Sequence, residues 1–485
     1  MTFPIRRDLL LVALGRVASI LVALISMRVV THYLSPSQYG QLSILYTIQM
    51  FCGLLLINPV GQYINIKTHE WWEHKTLIER LSSYWMYILF VTLFGVCIFC
   101  YVGYFIGSFD SISAGMLAIA AAIFFGTWSA TLIPMLNMLG FREPSIILGV
   151  LTSALGLMLS ALLTNFFPGE SAWLLGQALG FALGGLLGWR LLIKYSGYGI
   201  SILKEKKLKI INKTIFFNYC LPLAIATGFM WLQLSGYRFL IEKYWGIANL
   251  GFLVLGFQIA SQVWGLVESL ATQYLSPLFF KKVGAGSDQQ VIQQAYSDLI
   301  NTLIPVYLVV NGAMLMASGA LLKILVSSTY SGAINFVILG TFIEMFRTIG
   351  NVLSNAAHVK GRTIALAIPY IVGSLCTILA IYIAAFLTLD LIWAAISVLI
   401  GIGITLALMC ISMRRQIPFS IDYMRWVGAF FVMLLMGYLA EYMPTATSFS
   451  GAVEDLLITT SCSAAVFLFL LLNNPASTRL MSTKL

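Results

Sequence analysis

The sequence predicts an all-α, polytopic membrane protein of about fourteen transmembrane helices, and three observations predict it. Hydrophobic residues make up 60% of the 485-residue chain, charged residues only 9%, and the mean hydropathy is +0.91. A soluble domain carries roughly 25% charged residues. The apolar residues are grouped in runs near the ~20 residues that a helix needs to cross a bilayer. Finally, the basic residues gather between alternate runs. Little of the chain is left over for a separate soluble catalytic domain.

Taken in order, the runs predict spans at Leu9–His32, Gln41–Ile64, Ser83–Gly107, Ser113–Leu139, Ile146–Phe167, Ala172–Tyr195 and Phe217–Ile241. Seven more follow at Leu250–Leu278, Ala295–Ser318, Ala333–His358, Ile364–Leu387, Leu391–Met413, Met424–Tyr442 and Ala452–Leu472. The first begins like a signal peptide, after Arg6 and Arg7. It continues past Leu21, contains Arg16 and has no small-residue cleavage site, so it reads as a span.

The net charge is +10. In a soluble protein that would suggest nucleic acid; in this one it tests topology. With the N-terminus in the cytoplasm, inner loops and tails hold 22 of the 28 basic residues and outer loops only Lys243 and Lys323. Cytoplasmic loops of membrane proteins are rich in Lys and Arg. A missing span would invert every later loop, so the bias supports the count as well as an orientation with both termini inside. The run Lys204–Lys213 then reads as an inner-leaflet anchor, not a nucleic-acid patch. It also divides the chain: six spans in 1–195, a basic linker in 196–216, six spans in 217–413, and two further helices with a tail in 414–485. The halves echo each other weakly. Arg28 and then Tyr39-Gly40 correspond to Arg238 and then Leu250-Gly251, and Asn137–Arg142 corresponds to Asn355–Arg362.

A charge at the bilayer centre costs at least ~2.5–3.5 kcal/mol on insertion scales, which marks intramembrane ionisable groups as functional candidates. Arg16, Glu268, Glu344 and Arg347 form an inner layer of such groups, and Arg28 and Arg238 an outer one. The tenth span is the most polar: Glu344, Arg347, Asn351, Asn355, His358 and Arg362 recur every three or four residues and share one helix face. That face lines a hydrated passage, or Glu344 and Arg347 pair to pack the bundle. Other polar residues in spans are Gln49, Asn58, Gln62, Gln233, Gln258 and Gln262, and Pro59 and Pro222 are positioned to bend their helices. Arg28 and Arg238 either face a cavity or snorkel to headgroups. Arginine suits phosphate better than lysine because its planar fork donates bidentately. Several arginines on one cavity would therefore make a phosphate or pyrophosphate path.

No cofactor is expected. The chain has no G-x-x-x-x-G-K-[ST] nucleotide loop and no His/Asp/Glu cluster with metal spacing. Its seven cysteines all lie in apolar runs, including the C-x-x-C of Cys97 and Cys100, which reads as packed or lipid-facing helix.

Three stretches carry a family likeness: RVVTHYLSPSQYG from Arg28 with the following residues to Gly61, Tyr219–Gly251, and Tyr330–Thr363. They resemble the Wzx-like polysaccharide-unit flippases of the multidrug/oligosaccharidyl-lipid/polysaccharide exporter superfamily. The resemblance implies two pseudo-symmetric six-helix lobes around a central cavity, plus two C-terminal helices. It also implies a transporter of the bacterial inner membrane, not an enzyme. By that likeness the substrate is an undecaprenyl-pyrophosphate-linked O-antigen or exopolysaccharide repeat unit, moved from the inner to the outer leaflet by alternating access. Partners would be membrane lipid, a polysaccharide polymerase and other assembly proteins, and no nucleic acid. Arg16, Arg28, Arg238 and Arg347 would bind the pyrophosphate. Gln49, Asn58, Gln62, Gln233, Gln258, Gln262, Asn351 and Asn355 would line the cavity, and Glu268 and Glu344 are candidates for ion coupling. Alternatives are a lipid II or drug/cation exporter of the same superfamily, or a membrane polymerase or ligase on the same lipid carrier. The short, nearly uncharged outer connectors disfavour an enzyme.

Overall fold

A computed structural model describes residues 4–106, 109, 111–196, 216–283, 288–362, 364–442, 449–472 and 474–481. Seventeen α-helices follow one another in these residues, with no strand among them. Contacts divide the chain into two units, Met1–Gly251 and Phe252–Leu485.

The first unit contains α1 (Pro4–Tyr33), α2 (Pro36–Phe51), α3 (Asn58–Glu73), α4 (Leu77–Ile106), α5 (Ile112–Met138), α6 (Arg142–Phe166) and α7 (Glu170–Ser196). It also holds α8 (Leu221–Trp231), α9 (Arg238–Trp245) and the start of α10 (Ile247–Lys282). The second holds the rest of α10, α11 (Gln289–Leu325), α12 (Ile334–Lys360), α13 (Ile364–Phe386), α14 (Leu391–Gln416), α15 (Tyr423–Ala440), α16 (Phe449–Leu472) and the short α17 (Pro475–Met481). Among the described residues, twelve helical segments are long and apolar enough to cross a membrane, so the chain is a multi-pass membrane protein. Of the fourteen expected spans, the seventh is broken into pieces, and the fourteenth is α16. The basic run Lys204–Lys213 lies outside the described residues.

The second expected span shows why a break can form within a membrane helix. A wide π-turn over Cys52–Ile57 joins α2 to α3 immediately before Pro59. Proline has no N–H to donate and its ring crowds the preceding turn, so the regular ladder cannot run through it. A second pair of π-turns, Phe216–Cys220 and Leu232–Gly236, brackets α8. The expected continuous seventh helix is therefore segmented, a difference that hydropathy cannot register. The broken segment packs on α2 and α3 within the first unit, although sequence symmetry groups residues 217–251 with the later spans.

At the start of α2 the run Ser35-Pro36-Ser37-Gln38 folds as a capping box. The Ser35 Oγ accepts from the Gln38 N–H, and the Gln38 side-chain carbonyl accepts from the Ser35 N–H. Past this cap, α2 crosses the start of α10 at two glycines. Gly40 rests on the Ile247 carbonyl and Gly251 on the Pro36 carbonyl. Each glycine and its counterpart, and each carbonyl and its counterpart, are 211 positions apart, so the contact is reciprocal. The weak echo of Tyr39-Gly40 and Leu250-Gly251 thus corresponds to one backbone-to-backbone crossing.

Helix pairs elsewhere close on small residues, as expected where lipid leaves packing and hydrogen bonding to drive association. In the first unit, Gly176, Gly180 and Gly184 of α7 lie on Ser160, Gly156 and Thr152 of α6. In the second, Gly401 of α14 lies on Thr377 and Gly373 of α13. In the second unit a core of Trp264, Tyr296, Tyr307, Met345, Leu353 and Met409 joins α10, α11, α12 and α14. The additional helices α15 and α16 pack on α11, and α17 is tied to it by polar contacts. Asn474 donates to the Asn301 carbonyl at 3.0 Å, and Arg479 forms a forked pair with the buried Asp298 at 2.7 Å.

A Cβ at Gly180 runs into the backbone of Gly156, whereas one at Gly265 meets nothing within 4 Å. Overpacking of this kind costs roughly 1–3 kcal/mol. Gly180→Ala is expected to lower the melting temperature in detergent, and Gly265→Ala to leave it unchanged. Equal melting of the two variants would refute this account of the α6–α7 seam.

Candidate functional site

Polar groups inside a bilayer must find partners or face water, and in the first unit they do both along α2 and α3. The π-turn frees backbone carbonyls that side chains from other helices then satisfy. Thr227 Oγ1 donates to the Leu54 carbonyl at 2.7 Å and Tyr87 OH to the Leu56 carbonyl at 2.8 Å. One turn earlier, Trp231 Nε1 donates to the Thr47 carbonyl at 3.0 Å. Helices α8 and α4 therefore hold the break from two sides.

The face of the break without such partners opens on a groove of about 580 Å³. Gln49, Asn58, Gln62 and Asn65 line it from α2 and α3, and Thr127 and Thr131 from α5. Asn58, Gln62 and Asn65 are spaced four and three residues apart, which puts them on one side of α3. Gly53 and Gly61 keep the groove open, since a Cβ at either meets nothing within 4 Å. The amides are only partly engaged: Gln49 Nε2 reaches the Ala122 carbonyl at 3.4 Å, and Gln62 Nε2 reaches Asn58 Oδ1 at 3.5 Å. Met50, Leu54, Ile57 and Ala130 complete the lining, and among the described residues none that lines the groove is charged. Carboxamides and hydroxyls both donate and accept, which suits a neutral polyhydroxylated ligand. Gln49, Asn58 and Gln62 are among the polar span residues that the sequence singled out. Asn65 continues their spacing and was legible, whereas Thr127 and Thr131 come from a different helix.

Arg238 stands at the α9 end of the same unit. It is half-buried, its Nη1 lies 3.5 Å from both the Ser43 carbonyl and Thr47 Oγ1, and its buried Nε has no partner. Among the described residues no carboxylate pairs with it. Gln233, one turn away, is buried. The two α1 arginines occupy different faces of their helix. Arg28 continues the exposed apolar stripe of Leu14, Val17, Leu21 and Ile25, so its position fits snorkelling along lipid. Arg16 shares its face with Met27 and Val30, which are buried where α1 packs near its far end. Arg16 itself is exposed.

The second unit holds the remaining expected residues in a charged cluster. Arg347 Nε donates to Glu344 at 2.6 Å and Arg347 Nη2 to Glu268 at 2.9 Å. Asn351 Nδ2 donates to the other Glu268 oxygen at 2.6 Å. All three charged side chains are at most one-quarter exposed. Glu344, Arg347 and Asn351 lie on one face of α12, and Glu268 reaches them from α10. One guanidinium between two carboxylates leaves a formal charge of −1, so Arg347 is clamped by acids and not offered bare to an anion. Asn355 donates to the Val352 carbonyl of its own helix at 2.9 Å, and His358 and Arg362 are exposed. The long polar face expected on the tenth span is therefore networked only in its first two turns. Gln258 and Gln262 are partly buried on α10, upstream of Glu268.

Known proteins share this fold. The chain superposes on a solved structure of the lipid II flippase MurJ in an inward closed conformation with a TM-score of 0.67, covering 96% of this chain and 99% of that one at 15% identity. The eukaryotic MATE transporter AtDTX14 gives a TM-score of 0.51 at 16% identity, over 90% of this chain and 98% of that one. An outward-facing multidrug resistance MATE family transporter of the MOP superfamily gives 0.50 at 12% identity, over 89% and 97%. No protein-family model and no curated protein sequence matches the chain. At these identities the likeness is one of fold: this chain has the polytopic all-helical architecture found in MurJ and the MATE transporters.

Proposed function

We propose that this protein is a flippase for a lipid-linked oligosaccharide, an O-antigen or exopolysaccharide repeat unit joined through pyrophosphate to a polyprenyl carrier. The observation that carries the reading is the open, uncharged groove of carboxamides and hydroxyls at the α2–α3 break. It offers an intramembrane sugar the paired donors and acceptors that its hydroxyls lose on leaving water. Arg16 and Arg238 take the pyrophosphate, Arg28 anchors α1 at the interface, and Arg347 stays with its acids. The polyprenyl tail remains in lipid while the headgroup moves between leaflets. Transport proceeds by alternating access, with differential binding in the two states setting their populations. The carrier lipid is the substrate, a polymerase is the downstream partner, and no cofactor or catalytic group takes part. The fold shared with a lipid II flippase supports the substrate class, and the positive-inside bias supports cytoplasmic termini in the inner membrane.

The acid-rich Glu268–Arg347–Glu344 cluster favours a second reading, export of a drug or other cation. In the flippase reading the same cluster couples transport to a proton or metal cation, because its surplus carboxylate charge attracts one.

Charge-assisted hydrogen bonds contribute ~1.5–3 kcal/mol each, or roughly tenfold or more in affinity. In cells that depend on this chain for surface polysaccharide, Arg16→Ala and Arg238→Ala variants that insert normally should lower polymer display at least ~10-fold, with Arg28→Gln near wild type. Full display in both Ala variants overturns the proposal, and cation export by purified protein in vesicles supports the second reading. Removing one partner of a buried ion pair costs ~3–5 kcal/mol at full burial. Glu344→Ala, with its neighbours partly exposed, should lose on the order of 2 kcal/mol in detergent melting; a neutral result shows that the clamp is not structural.

A further inference from the structure

A second cavity of the first unit lies apart from the amide groove. It has a volume of about 970 Å³ and lies where the α5–α6 turn meets the end of α7. Its mouth carries Arg142, Glu143 and Arg190, and its wall is apolar: Ile147, Leu151, Leu187 and Leu191.

The sequence builds this corner deliberately. Helix α5 stops at Gly140, whose φ of +93° favours glycine. The Gly140 N–H donates to the Asn137 carbonyl and the Phe141 N–H to the Leu136 carbonyl, the pair of bonds that closes a helix in a Schellman turn. The reversal puts Arg142 at the first position of α6. Phe141 then stacks on Tyr195 with ring centres 4.1 Å apart and planes 10° from parallel, which fixes the turn against α7 and brings Arg190 to the same mouth. Both arginines are exposed, and neither forms an ion pair among the described residues. The wall is open too: Ile147 is 53% and Leu151 42% exposed. Ile147 and Leu151 on α6, and Leu187 and Leu191 on α7, are each four residues apart, so each pair shares one helix face; the α6 pair leads away from Arg142, and the α7 pair flanks Arg190.

We infer that this cavity is a binding site for an anionic phospholipid of the surrounding bilayer, with its phosphodiester between Arg142 and Arg190 and its acyl chains along Ile147, Leu151, Leu187 and Leu191. Charge complementarity selects this occupant. Two guanidiniums and one carboxylate leave the mouth at +1, which matches the single negative charge of a phosphoglycerol headgroup. A soluble anion would gain nothing from the apolar wall, and a wholly apolar ligand would leave two guanidiniums without an acceptor. Basic pockets between membrane helices bind lipid phosphates on the same principle. The lipid is a resident of the bilayer, separate from the transported molecule.

Native mass spectrometry of the full-length purified protein, titrated with phosphatidylglycerol or with phosphatidylcholine of the same acyl chains, tests the site. Phosphatidylglycerol should be retained in preference and should raise the melting temperature of the wild type. Arg142→Gln/Arg190→Gln should weaken phosphatidylglycerol binding at least ~10-fold while melting like wild type without lipid. Glu143→Gln should strengthen it several-fold, and Arg414→Gln/Arg415→Gln, at a different basic surface, should leave it unchanged. Equal retention of the two lipids, or wild-type retention in the Arg142/Arg190 variant, overturns the inference. So does displacement of the lipid by millimolar inorganic phosphate, which would mark a site for the free anion.

Discussion

A helix that breaks inside a membrane depends on one constraint: every carbonyl the break releases must be given a donor, because no water is there to supply one. At Cys52–Ile57 the donors are Thr227 and Tyr87, the first on a segment more than 160 residues later in the chain, and Trp231 of that segment donates to Thr47 just before the break. The amide groove exists because this substitution was made on one side of the break only. On the other side Gly53, Leu54 and Ile57 of the break face the groove, and Gln49, Asn58 and Gln62 present their amides beside them. The polar character of the groove and the packing of α8 on α2 are therefore one structural event seen from two sides.

The charged groups follow a different logic in the two units. In the second, charge is met by charge within the protein, and burial of Glu268, Glu344 and Arg347 is tolerated because their polar atoms are bound to each other and to Asn351. In the first, Arg238 has only weak backbone and hydroxyl contacts. An arginine held this way is costly to the folded protein, because one of its buried N–H groups has no acceptor.

Much of this was legible in the sequence. Apolar runs located the helices because hydropathy and length alone decide which segments partition into lipid, and the ends of α5, α12 and α14 fall within a few residues of expectation. Spacing placed Glu344, Arg347 and Asn351 on one face. What spacing lacks is the partner from another helix, so Glu268 entered as a neighbour in depth and not as the second arm of a clamp. The seventh span was read as continuous because hydropathy is blind to hydrogen bonding: the Phe217–Ile241 run is predominantly apolar whether or not its ladder is intact. Likewise Pro59 announced a bend, but not the π-turn before it or the hydroxyl that repairs it. The glycine seam of α6 and α7 was readable as a four-residue period of small residues, yet in so glycine-rich a chain the period stands out only once its counterpart on α6 is known.

The reciprocal crossing of Gly40 and Gly251 limits what either helix start can carry. Each glycine supplies the room into which the other's helix advances, so enlarging either one pushes both helix starts off their seats at once. The crossing is thus a place where neither helix start can gain a side chain without unseating the other.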